Sequence, residues 1–451
     1  MYPTDNRRQR IGLLIKILFP ILIYQLSNFS AQFIDAMMTG QYNETHLAGV
    51  AIGSSIWSPF FALLTGISSG LIPIVSRDLG AGNKDKLASH LRQYLYLGLI
   101  LCILFYLIGS VILTLALNMM SAEAEVETIA KDYILFLSIG LIPAMLFSIF
   151  RSFIDGLGFT RISMAFMLLM LPFNSGLNYL FIYGKFGFKA MGGAGAGLGT
   201  ALAFWLVLFV VLAVIQWHPK IKEYHIFESE PISWRQMLSS LQVGFPIGLS
   251  VFAEAGVFCF VGILMTEYSA QVIAAHQASL NFSNFMYSFP LSISTALTIA
   301  IGYELGRRDI KAIKSYSIIG ISISLLLTIG TLLFLFVYRE QVAKLYGNNP
   351  AFIKLAIQFL TVGLLFQFSD AVNSPIIGIL RGYKDTKWPF LLSLIGFWLV
   401  GLPLGFALKF WTNLGPFSYW WGLIIGLFVG AVLNTGRLIY VIKHRSDFLS
   451  F

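Results

Sequence analysis

Twelve long apolar runs recur along the chain, and that recurrence restricts the fold more than any other feature. A helix needs about 20 mostly apolar residues to cross the ~30 Å hydrocarbon core of a bilayer. The runs cover residues 11-39, 47-75, 91-118, 129-154, 161-184, 191-217, 239-266, 271-303, 313-338, 351-380, 388-411 and 418-442. Only 11% of the 451 residues are charged and the mean hydropathy is +0.78, whereas roughly a quarter of a soluble domain is charged. The chain reads as an all-α membrane protein of twelve transmembrane helices. Nothing between the runs is long enough to fold alone. Residues 218-236, the longest polar stretch, carry Pro219 and Pro231 and read as a cytoplasmic linker between two six-helix bundles, 1-217 and 237-451. The basic start, residues 1-10, lacks the small-residue cleavage site of a removable signal peptide.

A net charge of +9 would suit nucleic acid if the basic residues formed a patch, but they fall between the runs. Sorted by alternate loops, 23 lie on one side, among them Arg7, Arg8, Arg77, Lys84, Arg161, Lys220, Arg307, Arg308, Arg381, Lys443 and Arg445. The other side holds 7: Lys131, Lys185, Lys189, Arg339, Lys344, Lys354 and Lys409. This bias places both termini in the cytoplasm and requires an even number of spans. The basic excess is then topological, and no nucleic-acid partner is expected. Cys102 and Cys259 both fall inside apolar runs, where reduced core thiols are expected rather than a disulfide.

The sequence matches itself at an offset of 226. Asp78-Leu79-Gly80 falls on Glu304-Leu305-Gly306, and Gly156, Thr160 and Arg161 fall on Gly382, Thr386 and Lys387. Two similar halves in the same orientation are a parallel repeat, an arrangement found in alternating-access transporters with a site between the halves.

Eighteen of the 21 acidic residues lie in loops or at span ends, leaving Asp35, Glu254 and Asp370 inside. A carboxylate at the bilayer centre costs about 2.5 to 3.5 kcal/mol on insertion scales, so it needs a cavity or a partner. Glu254 is the eleventh residue of the 22-residue run Gly244 to Met265. Asp370 precedes Arg381 by eleven residues, about 16 Å of helix, whereas Asp35 belongs to the outer half. Each acid has polar company at helical spacing: Gln25, Asn28 and Gln32 with Asp35; Gln367 and Ser374 with Asp370; and, in the eighth span, Gln277, Asn281, Asn284 and Ser288 beside His276. Such stripes serve either interhelical hydrogen bonding or a water-lined cavity, and the carboxylates favour the cavity. His276 is either a proton relay or a hydrogen-bonded structural residue.

Asn174 and Asn178 share a face of the fifth span. With a carboxylate and a hydroxyl they would make a hard oxygen site for Na+ or a bound proton. Pro172 and Pro20 can free carbonyls as further ligands. The run Gly192-Gly193-Ala194-Gly195-Ala196-Gly197-Leu198-Gly199 does not match a phosphate loop and reads as close helix packing. No zinc spacing and no Walker motif occur, so neither ATP hydrolysis nor other enzymatic chemistry is expected.

These residues resemble the multidrug and toxin extrusion transporters, and within them the NorM-like branch. The resemblance rests on Phe33-Ile34-Asp35-Ala36-Met37-Met38-Thr39-Gly40, Val75-Ser76 through Gly80-Ala81-Gly82 as a looser match, Asn174 to Tyr183, the glycine run, Glu254, and Ala275-His276-Gln277. It implies two pseudo-symmetric six-helix bundles around a central cavity in the cytoplasmic (inner) membrane of a bacterium. It also implies export of cationic, amphipathic drug-like compounds in exchange for Na+ or H+, with no other cofactor. Carried over residue by residue, Asp35, Asn174, Asn178 and Thr200 would form an N-lobe cation site, and Glu254 and Asp370 a C-lobe site. Phe366 stands where that branch often has a tyrosine, so one oxygen ligand is missing there.

Gln32, His276, Gln277, Asn281 and Gln367 are candidates to line a substrate cavity. The 40 Phe, 19 Tyr and 9 Trp supply aromatic surface for lipid and for flat cations. A flippase of the same superfamily, moving a lipid-linked or other amphiphilic substrate, is the alternative; it would need a basic cavity, whereas the midspan charges are acidic. A chain carrying both halves is expected to work as a monomer.

Overall fold

The computed structural model describes residues 4–119, 124–347 and 349–444, so Arg445 lies outside the described residues. Eleven helices among them are long and apolar enough to cross a membrane, and a twelfth span is made by a bent pair. In chain order they are α1 (Arg7–Tyr42), α2 (Glu44–Gly80), α3 (Lys84–Met119), the bent α4 (Ala124–Ser138 and Leu141–Gly156), α5 (Thr160–Tyr183), α6 (Gly193–Trp217), α7 (Trp234–Leu264), α8 (Ala270–Gly306), α9 (Ile310–Lys344), α10 (Pro350–Gly382), α11 (Lys387–Trp411) and α12 (Phe417–Lys443). All twelve expected spans are present. The helices outrun several of the apolar runs because polar first and last turns continue beyond the hydrocarbon-length segment.

Local chemistry explains the breaks. The Asn43 side chain accepts from the Thr45 and His46 amides and starts α2, a capping bond worth about 1 kcal/mol. Gly192 has a φ of +57°, and a Cβ there would meet the His46 ring, so only glycine can open α6 at that point. The halves of α4 meet at 51° around Gly140, a bend the apolar pattern did not reveal. α1 and α5 run on through Pro20 and Pro172. Each proline forfeits only its own N–H bond, which the rest of a long helix tolerates.

The contacts gather into two compact units whose limits fall inside α1 and α7. One comprises Ile23–Gly248. The other begins at Leu249 and includes the chain up to Leu22, where Thr4 is hydrogen-bonded to the Tyr316 hydroxyl at 3.1 Å.

Without a hydrophobic driving force in lipid, helices associate through close packing of small residues. In the first unit, a Cβ on Gly66 or Gly70 of α2 would lie 2.7 Å and 2.5 Å from the Cα atoms of Gly248 and Gly244 of α7. In the second, the glycines of α11 and α12 approach in the same way, with the Gly396 position 2.6 Å from the Gly426 carbonyl. The 226-residue repeat is visible in such contacts: the Gly156 position lies 2.8 Å from Val75, and its repeat mate Gly382 lies 2.8 Å from Ile301, the mate of Val75. The exterior of α9 presents Leu326, Leu333, Phe336 and Val337, a face suited to lipid. Cys102 is buried as expected, but Cys259 is exposed, because it lies on the side of α7 opposite the buried Val257 and Val261.

Part of the 218-236 linker is strapped to α3 by side-chain hydrogen bonds. The Glu230 carboxylate accepts from Ser89 at 2.6 Å and Arg92 at 2.7 Å, and Gln93 donates to the Pro231 carbonyl at 2.9 Å while accepting from the Ser233 amide at 2.9 Å. Desolvation opposes ionisation of Glu230, but the Ser89 and Arg92 bonds outweigh it and hold its carboxyl below the usual range. A carboxyl with a depressed folded pKa stabilises above its unfolded value and loses that contribution as pH falls through the folded one. Glu230→Gln is therefore expected to lower stability by about 1 kcal/mol at neutral pH and to flatten the acid limb of a melting profile. An unchanged profile would show that the strap adds no stability.

Candidate cation sites

In the first unit, the small residues of α6 bring α5 close enough to build a polar centre. A Cβ on Gly195 would lie 2.6 Å from the Phe181 carbonyl, and one on Gly199 would collide with Asn178 Oδ1. The glycine run, read from the sequence as packing, thus seats Asn174 and Asn178 beside Thr200. Asn178 Nδ2 donates to Asp35 Oδ1 at 2.5 Å, and the Thr200 hydroxyl donates to Asp35 Oδ2 at 3.5 Å. Asn174 Nδ2 donates to Thr200 Oγ1 at 2.9 Å, while Asn174 Oδ1 accepts from Asn178 Nδ2 at 3.3 Å. Asn178 Oδ1 is buried with no hydrogen-bond partner. Such an orphaned oxygen is costly unless something fills its coordination.

Carboxylate, two amide oxygens and a hydroxyl form an all-oxygen donor set that suits a hard cation, and the same carboxylate can hold a proton. Tyr133 of α4 faces Asp35 electrostatically and packs on the cluster of Met38, Ile182 and Ala196. It escaped the sequence reading because a tyrosine in an apolar run carries no distinctive spacing. Gln32, also a candidate, is exposed on α1 and has no part in this hydrogen-bond network.

The second unit contains a pocket of about 550 Å³, its open mouth included. Glu254 of α7 and Asp370 of α10 both line it, together with Tyr287 of α8 and Arg381 of α10. Ser374 donates to Asp370 Oδ1 at 3.2 Å. Glu254 interacts electrostatically with both Asp370 and Arg381, so the three charges run in series. Arg381, counted from the sequence with a cytoplasmic loop, instead lies in the last turn of α10. Eleven residues are close to three full turns, so Arg381 shares the face of Asp370, a spacing the sequence already displayed.

The wall formed by α11 was not legible in the sequence. From Ile395 to Gly401 this helix widens into a π turn, a form that recurs at functional sites. Phe397 and Trp398 of that turn line the pocket, and Trp398 donates its indole N–H to the Ala253 carbonyl at 3.0 Å.

Asp370 and Tyr287 also border a second pocket of about 310 Å³, lined by Phe289, Phe366, Thr328, Thr331 and Gln367. Both amide atoms of Gln367 are buried and unpartnered. His276 is elsewhere, enclosed between Phe359 and Trp420, with its Nδ1 accepting the Trp420 indole N–H at 3.0 Å. That contact matches the structural alternative weighed for it. Gln277 and Asn281 are exposed on another face of α8 and line neither pocket.

Similarity to known proteins covers the same ground. The MatE family model matches residues 20–180 and 246–407. A probable multidrug resistance protein NorM from Streptococcus pneumoniae serotype 4 is 46% identical over 445 residues, spanning 98% of each chain. One of the same description from Oceanobacillus iheyensis is 42% identical over 448 residues, spanning 98% of this chain and 99% of its own. The crystal structure of the eukaryotic MATE transporter AtDTX14 superposes with a TM-score of 0.89 at 20% identity, covering 99% of this chain and 98% of that one, and so speaks to the fold.

Proposed function

Because this chain belongs to the MatE family, in its NorM-like branch, and is thus a multi-span membrane transporter rather than an enzyme, we propose that it exports cationic amphipathic drugs by antiport with Na+ or H+. The observation that carries this reading is the hydrogen-bonded set Asp35, Asn174, Asn178 and Thr200, which needs only one cation or proton to complete it. Glu254 and Asp370 supply a second acidic locus, and Gln367 a polar contact for a bound drug. The multidrug resistance names of the relatives support drugs as cargo. Two acids against one arginine in the second-unit pocket favour cations over the phosphate head of a flippase substrate.

Exchange follows from competition. A cation and a positively charged drug each lower the energy of the same buried carboxylates, and both together overcompensate them. A ligand shifts the balance between two arrangements of the bundles only by its differential affinity for them. A cation that prefers the arrangement releasing drug outward therefore drives export. We place the protein in a bacterial cytoplasmic membrane with both termini inside, acting as a monomer with no nucleic-acid partner.

Purified protein in liposomes should extrude ethidium when a Na+ gradient or a pH gradient is imposed, the two being tested separately. Efflux indifferent to both would overturn the antiport reading.

A further inference from the structure

Resting on that reading, we propose that Arg381 is the resident counter-charge of the second-unit pocket and restricts it to a single monovalent cation. Glu254, Asp370 and Arg381 are the charged side chains that line the pocket; its walls on α8, α11 and α12 contribute Tyr287, serines and apolar groups. With both acids ionised the enclosed charge is −1. One proton, one Na+ or one singly charged organic head neutralises it. A divalent ion would leave +1 in a poorly solvated space, and an uncompensated buried charge is strongly unfavourable.

The placement supports this role over a purely structural one. Arg381 acts on Glu254 and Tyr287 through space rather than through a hydrogen bond. It is neither locked in an ion pair that cancels Glu254 nor swung out of the pocket. Arg307 and Arg437 do not line the pocket and are paired elsewhere, Arg307 with Glu304 at 3.1 Å and Arg437 with Asp385 at 2.6 Å. The repeat sharpens the point. The residue matching Arg381 in the first half is Asp155, buried beside Tyr24 and 3.8 Å from Arg151. The halves thus place opposite charges at equivalent positions, and the half with two membrane-embedded acids has the arginine.

The test is the cation dependence of the melting temperature of the purified full chain, since a ligand that binds only the folded state raises it. Wild-type protein and Glu254→Gln should respond alike to Ca2+. Arg381→Gln, whose pocket carries −2, should gain stabilisation by Ca2+, with half-saturation at least tenfold below any seen in wild type. That gain should vanish in the double variant Arg381→Gln/Glu254→Gln, and Arg381→Lys should restore the wild-type pattern. A merely structural arginine would lower the melting temperature without changing which cations raise it.

Arg381→Gln indifferent to Ca2+ would overturn the proposal, as would a Glu254-dependent response to Ca2+ in wild type. The wild-type comparison stands even if Arg381→Gln does not fold. Liposomes that fail to couple efflux to any gradient, with the Ca2+ contrast intact, would refute antiport and leave the charge assignment standing.

Discussion

Replacing Asp35 by asparagine should cut gradient-driven efflux at least about tenfold while leaving the protein folded. The two side chains have nearly the same shape, so the packing around Met38, Ile182 and Ala196 is undisturbed. What is lost is the one full negative charge among the Asn174, Asn178 and Thr200 groups. A hydrogen bond to a charged group contributes about 1.5 to 3 kcal/mol, and losing that much preference for a bound cation lowers its occupancy about 10- to 100-fold. Ethidium efflux under a Na+ or pH gradient should fall by at least about tenfold, with an unchanged or higher melting temperature because no buried charge remains. Wild-type efflux from Asp35→Asn liposomes would remove Asp35 from the coupling mechanism.

Gly199→Ala should damage transport nearly as much without removing any donor or acceptor. The added methyl would collide with Asn178 Oδ1 and lie 3.0 Å from the Asn178 amide nitrogen. Asn178 is fully buried, so its short side chain has nowhere to go, and relief requires α5 and α6 to part. Overpacking of this kind costs about 1 to 3 kcal/mol, and the separation breaks the 2.5 Å bond from Asn178 to Asp35. Gly176→Ala is the control. It lies on α5, the helix that carries Asn174 and Asn178, with nothing within 4 Å of its Cβ position, and there alanine should stabilise by up to about 1 kcal/mol. Equal effects of the two substitutions on efflux would show that helix propensity, and not the close approach, matters at Gly199.

The two sites differ in how far they could be read in advance. Asn174 and Asn178 pair by their four-residue spacing, and Asp35 stands out as a charge where charges are expensive, so the first site is legible apart from Thr200 and Tyr133. Thr200 came only through family resemblance, because a threonine after a glycine run has no signal of its own. In the second unit the acids are legible, but Arg381 falls among the loop residues by sequence alone, because charge counting assigns arginines by their distance from apolar runs and not by the face they occupy. The polar stripe of α8 is a different case, because Gln277 and Asn281 are exposed and border neither pocket. Gln277 and Asn281 keep helical phase with the rest of the stripe, yet phase shows only that residues share a face, not what that face meets.

Length, periodicity and charge placement along the chain determined the number of spans, the internal repeat and the three midspan acids, because crossing a bilayer imposes a minimum apolar length and a penalty on every embedded charge. These constraints act residue by residue and leave their mark on a linear string. Tertiary structure alone decided that α4 bends, that α11 widens into a π turn and that Arg381 faces Glu254. Each of these depends on which backbone approaches which, and on whether a missing Cβ allows it, and distances between segments remote in sequence leave no periodic trace.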